Sequence, residues 1–183
     1  MVRNYIPVIG VVFRGHLWLD GIIMCVLRPN QRVNLPVLAH AITQSKQYSQ
    51  IRAVILSPRL LTSRIRIGMI PLANTVSLPV MCVGRRASDR TNRWRDTKRK
   101  RSALTSRLRI RIGSKYLSVL ITGINDPAKT REILTLACAT NSQTPEAVRV
   151  AELIADHIPR PNILQNAEGF SWHFSHHRWS NRP

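Results

Sequence analysis

The sequence predicts a mixed α/β domain, one sheet covered by helices. Three observations predict it. Two pairs of β-rich runs are each separated by a short glycine turn. Two short, continuously apolar runs stand one connection apart. Two segments with helix-start signals close the patterned part of the chain.

The first hairpin is expected over residues 8–14 and 17–27, turning at Gly15-His16. Pro29, Asn30 and Gln31 break the chain. Leu35, Leu38, Ala39 and Ile42 then recur at helical spacing, which predicts a helix over 34–47 with Asn34 as its N-cap. Ile51–Leu56 reads as a buried strand stopped by Ser57-Pro58, and 78–83 as another. Strand, connection and strand in that order favour parallel pairing. The connection itself, 64–76, is ambiguous: Ile65, Ile67 and Met69 alternate like a strand, whereas a crossover would want a helix. A second hairpin is expected over 107–112 and 116–122 around Gly113-Ser114. Its alternation puts Arg107, Arg109 and Arg111 on one face. One helix should start at Asp126-Pro127 and run to about Ala139. The next should start at Thr144-Pro145-Glu146 and run to about His157. The expected organisation is one domain over 1–158, with a basic insertion at 85–111 and a tail at 159–183.

Charge narrows the function. The 183 residues carry 28 Lys+Arg against 9 Asp+Glu, a formal charge of +19. Such a charge repels itself in a compact chain and calls for a polyanionic partner. Arginine supplies 23 of the 28 bases. Its planar fork pairs with phosphate in two places and stacks on bases. The apolar runs fall far short of the ~20 residues of a membrane span, and no secretory leader pattern opens the chain. Cys25, Cys82 and Cys138 have no metal spacing and sit in apolar stretches, as small core residues of a reducing compartment do. Ser57, Cys82 and Cys138 lack a visible activating base, and no glycine-rich phosphate loop is present. No cofactor is expected.

The bases cluster. Residues 85–111 hold 12 Lys/Arg and 2 acids in 27 positions. The expected nucleic-acid contacts there are Arg85, Arg86, Arg90, Arg93, Arg95, Lys98, Arg99, Lys100, Arg101, Arg107, Arg109 and Arg111, with Trp94 stacking on an unpaired base. Arg59, Arg64 and Arg66 form a second cluster after the first buried strand. In the tail, Trp172, Arg178 and Trp179 join the expected set, among His173, His176 and His177.

Several blocks carry a family resemblance. Gly10-Val-Val-Phe-Arg-Gly-His-Leu-Trp-Leu-Asp-Gly-Ile22 resembles the opening hairpin of the archaeal endonuclease dU family, which is related to endonuclease V. Ser45-Lys-Gln-Tyr-Ser-Gln-Ile-Arg52 with Val54-Ile-Leu56, then Leu78-Pro-Val80, are similar to its next blocks. Pro145-Glu-Ala-Val-Arg-Val-Ala-Glu-Leu-Ile-Ala155 is similar to its closing helix. The blocks fall in order over about 8–158. The resemblance implies an RNase H-like mixed sheet flanked by helices.

The departures concern carboxylates. The family has Asp-Asp-Gly on a strand before the hairpin, whereas Met1–Pro7 holds no acid. It has Leu-Asp-Gly where this chain reads Leu56-Ser57-Pro58, and residues 58–88 contain no Asp or Glu. Asp20 stays with the hairpin motif, and Glu146 and Glu152 lie on the closing helix, Glu152 where the family often has His. A nuclease of this kind needs clustered carboxylates to hold Mg²⁺ and activate water. The expectation is therefore a non-catalytic binder of structured RNA with no metal of its own. The expected setting is cytoplasmic and ribosome-associated, with rRNA and neighbouring ribosomal proteins as partners. DNA is an admissible partner; a membrane or a small-molecule substrate is not expected. The alternative is a metal-dependent endonuclease on deoxyuridine-containing or damaged DNA.

Overall fold

Strands β1 (Ile6–Arg14) and β2 (Trp18–Leu27) form the first antiparallel hairpin. Gly15 turns it at φ 64°, in the left-handed region where a side chain would be strained. The structure, a computed structural model, describes residues 5–61, 65, 67–84, 105–139 and 142–158.

Helix α1 spans Asn34–Thr43 and so stops short of the expected end. Asn34 is not its N-cap; Val33 holds that position. The Asn34 amide is buried and works sideways instead. It accepts from the Arg28 N–H at 2.9 Å and donates to the carbonyls of Arg28 at 2.7 Å and Ile65 at 2.8 Å. A buried amide requires such partners, and here they tie the β2–α1 connection to the segment ahead of the next helix.

A 3-10 turn at Tyr48–Gln50 leads to β3 (Val54–Leu56), shorter than the expected strand. Helix α2 (Met69–Val76) resolves the ambiguous connection as a crossover helix. Leu72 and Val76 are fully buried along one side of it. Strand β4 (Val80–Gly84) then pairs parallel with β3, Val54 opposite Val80. β5 (Thr105–Ile112) and β6 (Lys115–Thr122) form the second hairpin around Gly113 at φ 56°. Helix α3 (Pro127–Ala137) starts at Asp126, whose carboxylate accepts from the Ala128 N–H at 2.8 Å. Helix α4 spans Glu146–His157.

The mixed sheet with flanking helices is the expected class, but its strand count is smaller than the sequence suggests, because the strands divide between two sheets. β3, β4, β6 and β5 lie in that order in a four-stranded mixed sheet, and β1-β2 stands apart as a two-stranded sheet. Strand β4 is buried on both faces. Val80 and Cys82 join a core under α1 and α2 with Leu27, Leu38 and Leu72. Met81 and Val83 join a core with Leu117, Ile121 and Leu134 of α3. Alternating side chains of one strand thus seed both cores. No helix among the described residues is long and apolar enough to cross a membrane.

Candidate nucleic-acid interface

Strand β5 carries the described part of the basic segment. Arg107, Arg109 and Arg111 are exposed, while Ile110 between them is buried. The strand period of two places the three on one face, and Ile110 points to the core beneath α3. Across the register, Arg111 faces Tyr116 and Arg109 faces Ser118 on β6. The Arg109 guanidinium lies over the Tyr116 ring, 4.5 Å from its centre. The Arg111 Nε donates to the Gly113 carbonyl at 3.0 Å, which steadies its stem beside the turn. The other expected contacts, Arg64, Arg66, Arg85, Arg86, Arg90, Arg93, Trp94, Arg95, Lys98, Arg99, Lys100, Arg101, Trp172, Arg178 and Trp179, lie outside the described residues.

Arg59 has a different setting. Ser57, at the end of β3, donates to the Glu152 carboxylate at 2.7 Å. Arg59 reaches Asp156 at 3.0 Å and Glu152 at 3.9 Å. Its first partners are therefore carboxylates of α4. A hydroxyl and a guanidinium together satisfy the two acids, where a cation site would leave carboxylate oxygens converging on an ion. Asp20 is likewise paired, with Arg14 at 3.2 Å. Glu146 binds Arg149 one turn along α4, and that guanidinium holds its carboxyl below the usual range despite some burial. Among the described residues, no three His, Cys, Asp or Glu side chains gather in a way that could hold a metal ion. Burial pushes the thiols of Cys25 and Cys138 up to about 11 and that of Cys82 up to about 12, so all three are poor nucleophiles near neutrality.

Sequence reasoning missed one feature. An apolar groove of about 240 Å³ runs between the two sheets. Consecutive residues Val8–Phe13 of β1 line one side and Ala53–Ser57 the other. Consecutive lining means that strand edges, not strand faces, meet the groove. β1 pairs only with β2, and β3 only with β4, among the described strands. Helix α4 flanks the groove with Ala147, Val148, Ala151 and Ala155, and α1 contributes Leu38 and Ile42. Arg14, ending β1, donates to Gln50, just ahead of β3, at 3.3 Å. The end of one strand thus lies beside the start of the other. The small residues at 147, 151 and 155 were the available signal, a narrow alanine stripe on the predicted closing helix.

The sequence model of the endonuclease dU family matches residues 2–159. A UPF0215 protein of Methanothermobacter thermautotrophicus is 26% identical over 155 residues, covering 80% of this chain and 76% of that protein. A solved structure, a protein of unknown function from Archaeoglobus fulgidus, superposes with a TM-score of 0.61 at 16% identity. It covers 83% of this chain and 96% of its own, and the likeness is one of fold.

Proposed function

The chain belongs to the endonuclease dU family, and we propose that within it this member binds nucleic acid without cleaving it. The observation that carries the reading is the network at the end of β3. The resemblance implies a catalytic carboxylate at position 57; here a serine hydroxyl stands there and donates to Glu152. Arg59 closes the same acids from the other side. A carboxylate held this way already has partners that a metal ion would have to displace. The charge of +19 and the arginine face of β5 supply the grip that remains. Structured RNA in a ribonucleoprotein, the ribosome first, is the partner proposed, because arginine forks suit phosphate-dense surfaces.

Sucrose-gradient fractionation of extract at low salt tests the partner. Co-migration with ribosomal particles, lost at high salt, is the expected result; a position at the top of the gradient removes the ribosome. A second reading, a metal-dependent endonuclease on deoxyuridine-containing DNA, is favoured by membership in the family. Incubation with Mg²⁺ or Mn²⁺ and a deoxyuridine duplex tests it. Nicking that disappears in Glu152→Gln would establish the enzyme and overturn the binding-only reading.

A further inference from the structure

The exposed face of β5 and β6 has a geometry more particular than a basic patch. Arg107, Arg109 and Arg111 project from it at every second residue, so they stand about 7 Å apart in one row. That step suits successive phosphates of an extended single strand. A duplex would present its phosphates along a helically wound backbone instead. The strand is rigid where it matters: β5 is paired to β6 along its whole length, from Thr105 opposite Thr122 to Ile112 opposite Lys115. Ile110 anchors it in the core at 3% exposure. Beside the row sits Tyr116, half exposed, with the Arg109 guanidinium over its ring. A planar cation laid on a half-exposed ring makes a stacking platform next to a line of charges. Grooves that track single strands combine these two elements: cations for the backbone and π-faces for the bases.

We propose that the β5-β6 face binds a single-stranded polynucleotide, its backbone along the row of Arg107, Arg109 and Arg111 and one base stacked on the platform that Arg109 and Tyr116 form. This rests on the nucleic-acid-binding reading above and narrows it to a strand form and a site. Nothing in the face distinguishes ribose from deoxyribose, so the shared chemistry is the phosphate line with a stacked base.

The test uses the full chain with oligouridylate, oligothymidylate and a mixed-sequence RNA duplex, all of equal length, over a salt series. Both single strands are expected to bind more tightly than the duplex, and a preference between them assigns the sugar. Replacing all three arginines, Arg107→Gln, Arg109→Gln and Arg111→Gln, should lower the slope of log affinity against log salt by about 2, at roughly 0.7 for each single-strand phosphate no longer neutralised. Tyr116→Leu should weaken single-strand binding roughly tenfold and leave the slope unchanged, while Tyr116→Phe keeps the affinity. Circular dichroism and the thermal midpoint check that each variant is folded; a misfolded triple variant is replaced by Arg109→Gln alone, with a slope change of about 0.7. Tight binding with an unchanged slope in the arginine variant overturns the site while the nucleic-acid reading stands. Duplex preference, or indifference to Tyr116→Leu, overturns the single-strand assignment. Failure of the unaltered chain to bind any of the three at low salt overturns the parent reading as well.

Discussion

The four-stranded sheet has two rims, and they are built oppositely. At one rim, β5 shows solvent a row of arginines. At the other, β3 looks across an apolar groove at the edge of β1, with α4 and α1 flanking the gap. Both are edge strands among the described residues, and an edge with open N–H and C=O groups is a template for unwanted pairing. The β5 rim is guarded by charge, which repels a second strand of the same chain. The β3 rim is guarded by cover, since the alanine stripe of α4 flanks the groove beside it. One liability is thus managed in two ways.

The largest expected effect separates the interior of the sheet from the outlying hairpin. Ile121 lies on β6, fully buried between β4 and β5. Ile121→Ala should cost about 2–5 kcal/mol, the range for emptying a well-packed aliphatic site. Met24, on β2, is 55% exposed, and Met24→Ala should stay within about 0.5 kcal/mol. Urea denaturation of the two variants checks the contrast. Equal losses would mean that the outer face of the hairpin is covered and that the two regions do not differ as described.

How far the sequence carried follows the same division. The hairpins, the parallel pair and both closing helices were legible, because period-two and period-3.6 patterns and glycine turns act locally. So was the arginine face, since Arg107, Arg109 and Arg111 alternate with Leu108 and Ile110. Asn34 misled because a polar residue before an apolar run reads as a cap. Its real partners are the backbone of Arg28 and the carbonyl of Ile65, 31 positions away, and no local pattern encodes them. The pairing of Ser57 and Arg59 with α4 was invisible for the same reason. It joins residues 95 and 97 positions apart. The split into two sheets was missed because the number of strands in a sheet is a long-range property; each strand looks the same whether or not its second edge is filled.

The Val54 N–H donates to the Pro79 carbonyl at 2.8 Å, across to the β4 side. Ile55, one residue on, turns its N–H to the groove. Amide exchange followed by NMR should therefore find Ile55 far faster than Val54 and the amides shared by β4 and β6. An unpaired amide lacks the opening step that protects a bonded one. Slow exchange at Ile55 would show that a strand from elsewhere fills the groove in solution. The alanine stripe of α4 would then be the wall of an occupied slot.

The smallest effect expected is electrostatic and sits on α4, the helix that flanks the groove. Glu146 occupies its first turn and is bound by Arg149, which lowers the carboxyl pKa below the ordinary 4.5. A carboxyl with a depressed folded value binds fewer protons folded than unfolded. Its stabilising contribution is therefore complete above the unfolded pKa and fades as pH falls through the lower folded one. The Arg149 side chain is exposed, so solvent screens the pair and the contribution is small. Glu146→Gln should lower the melting temperature slightly at pH 7 and by progressively less as the pH falls through the carboxyl's range, with the difference shrinking as salt is added. The variant also probes the groove, since Ala147 and Val148, the next residues on α4, line it. If losing the first-turn carboxylate frays that turn, exchange at groove-lining amides near Phe13 should rise with it. If melting shifts but those amides do not change, the cover of the groove depends on the apolar packing of Ala147, Val148, Ala151 and Ala155, and charge guards only the β5 rim.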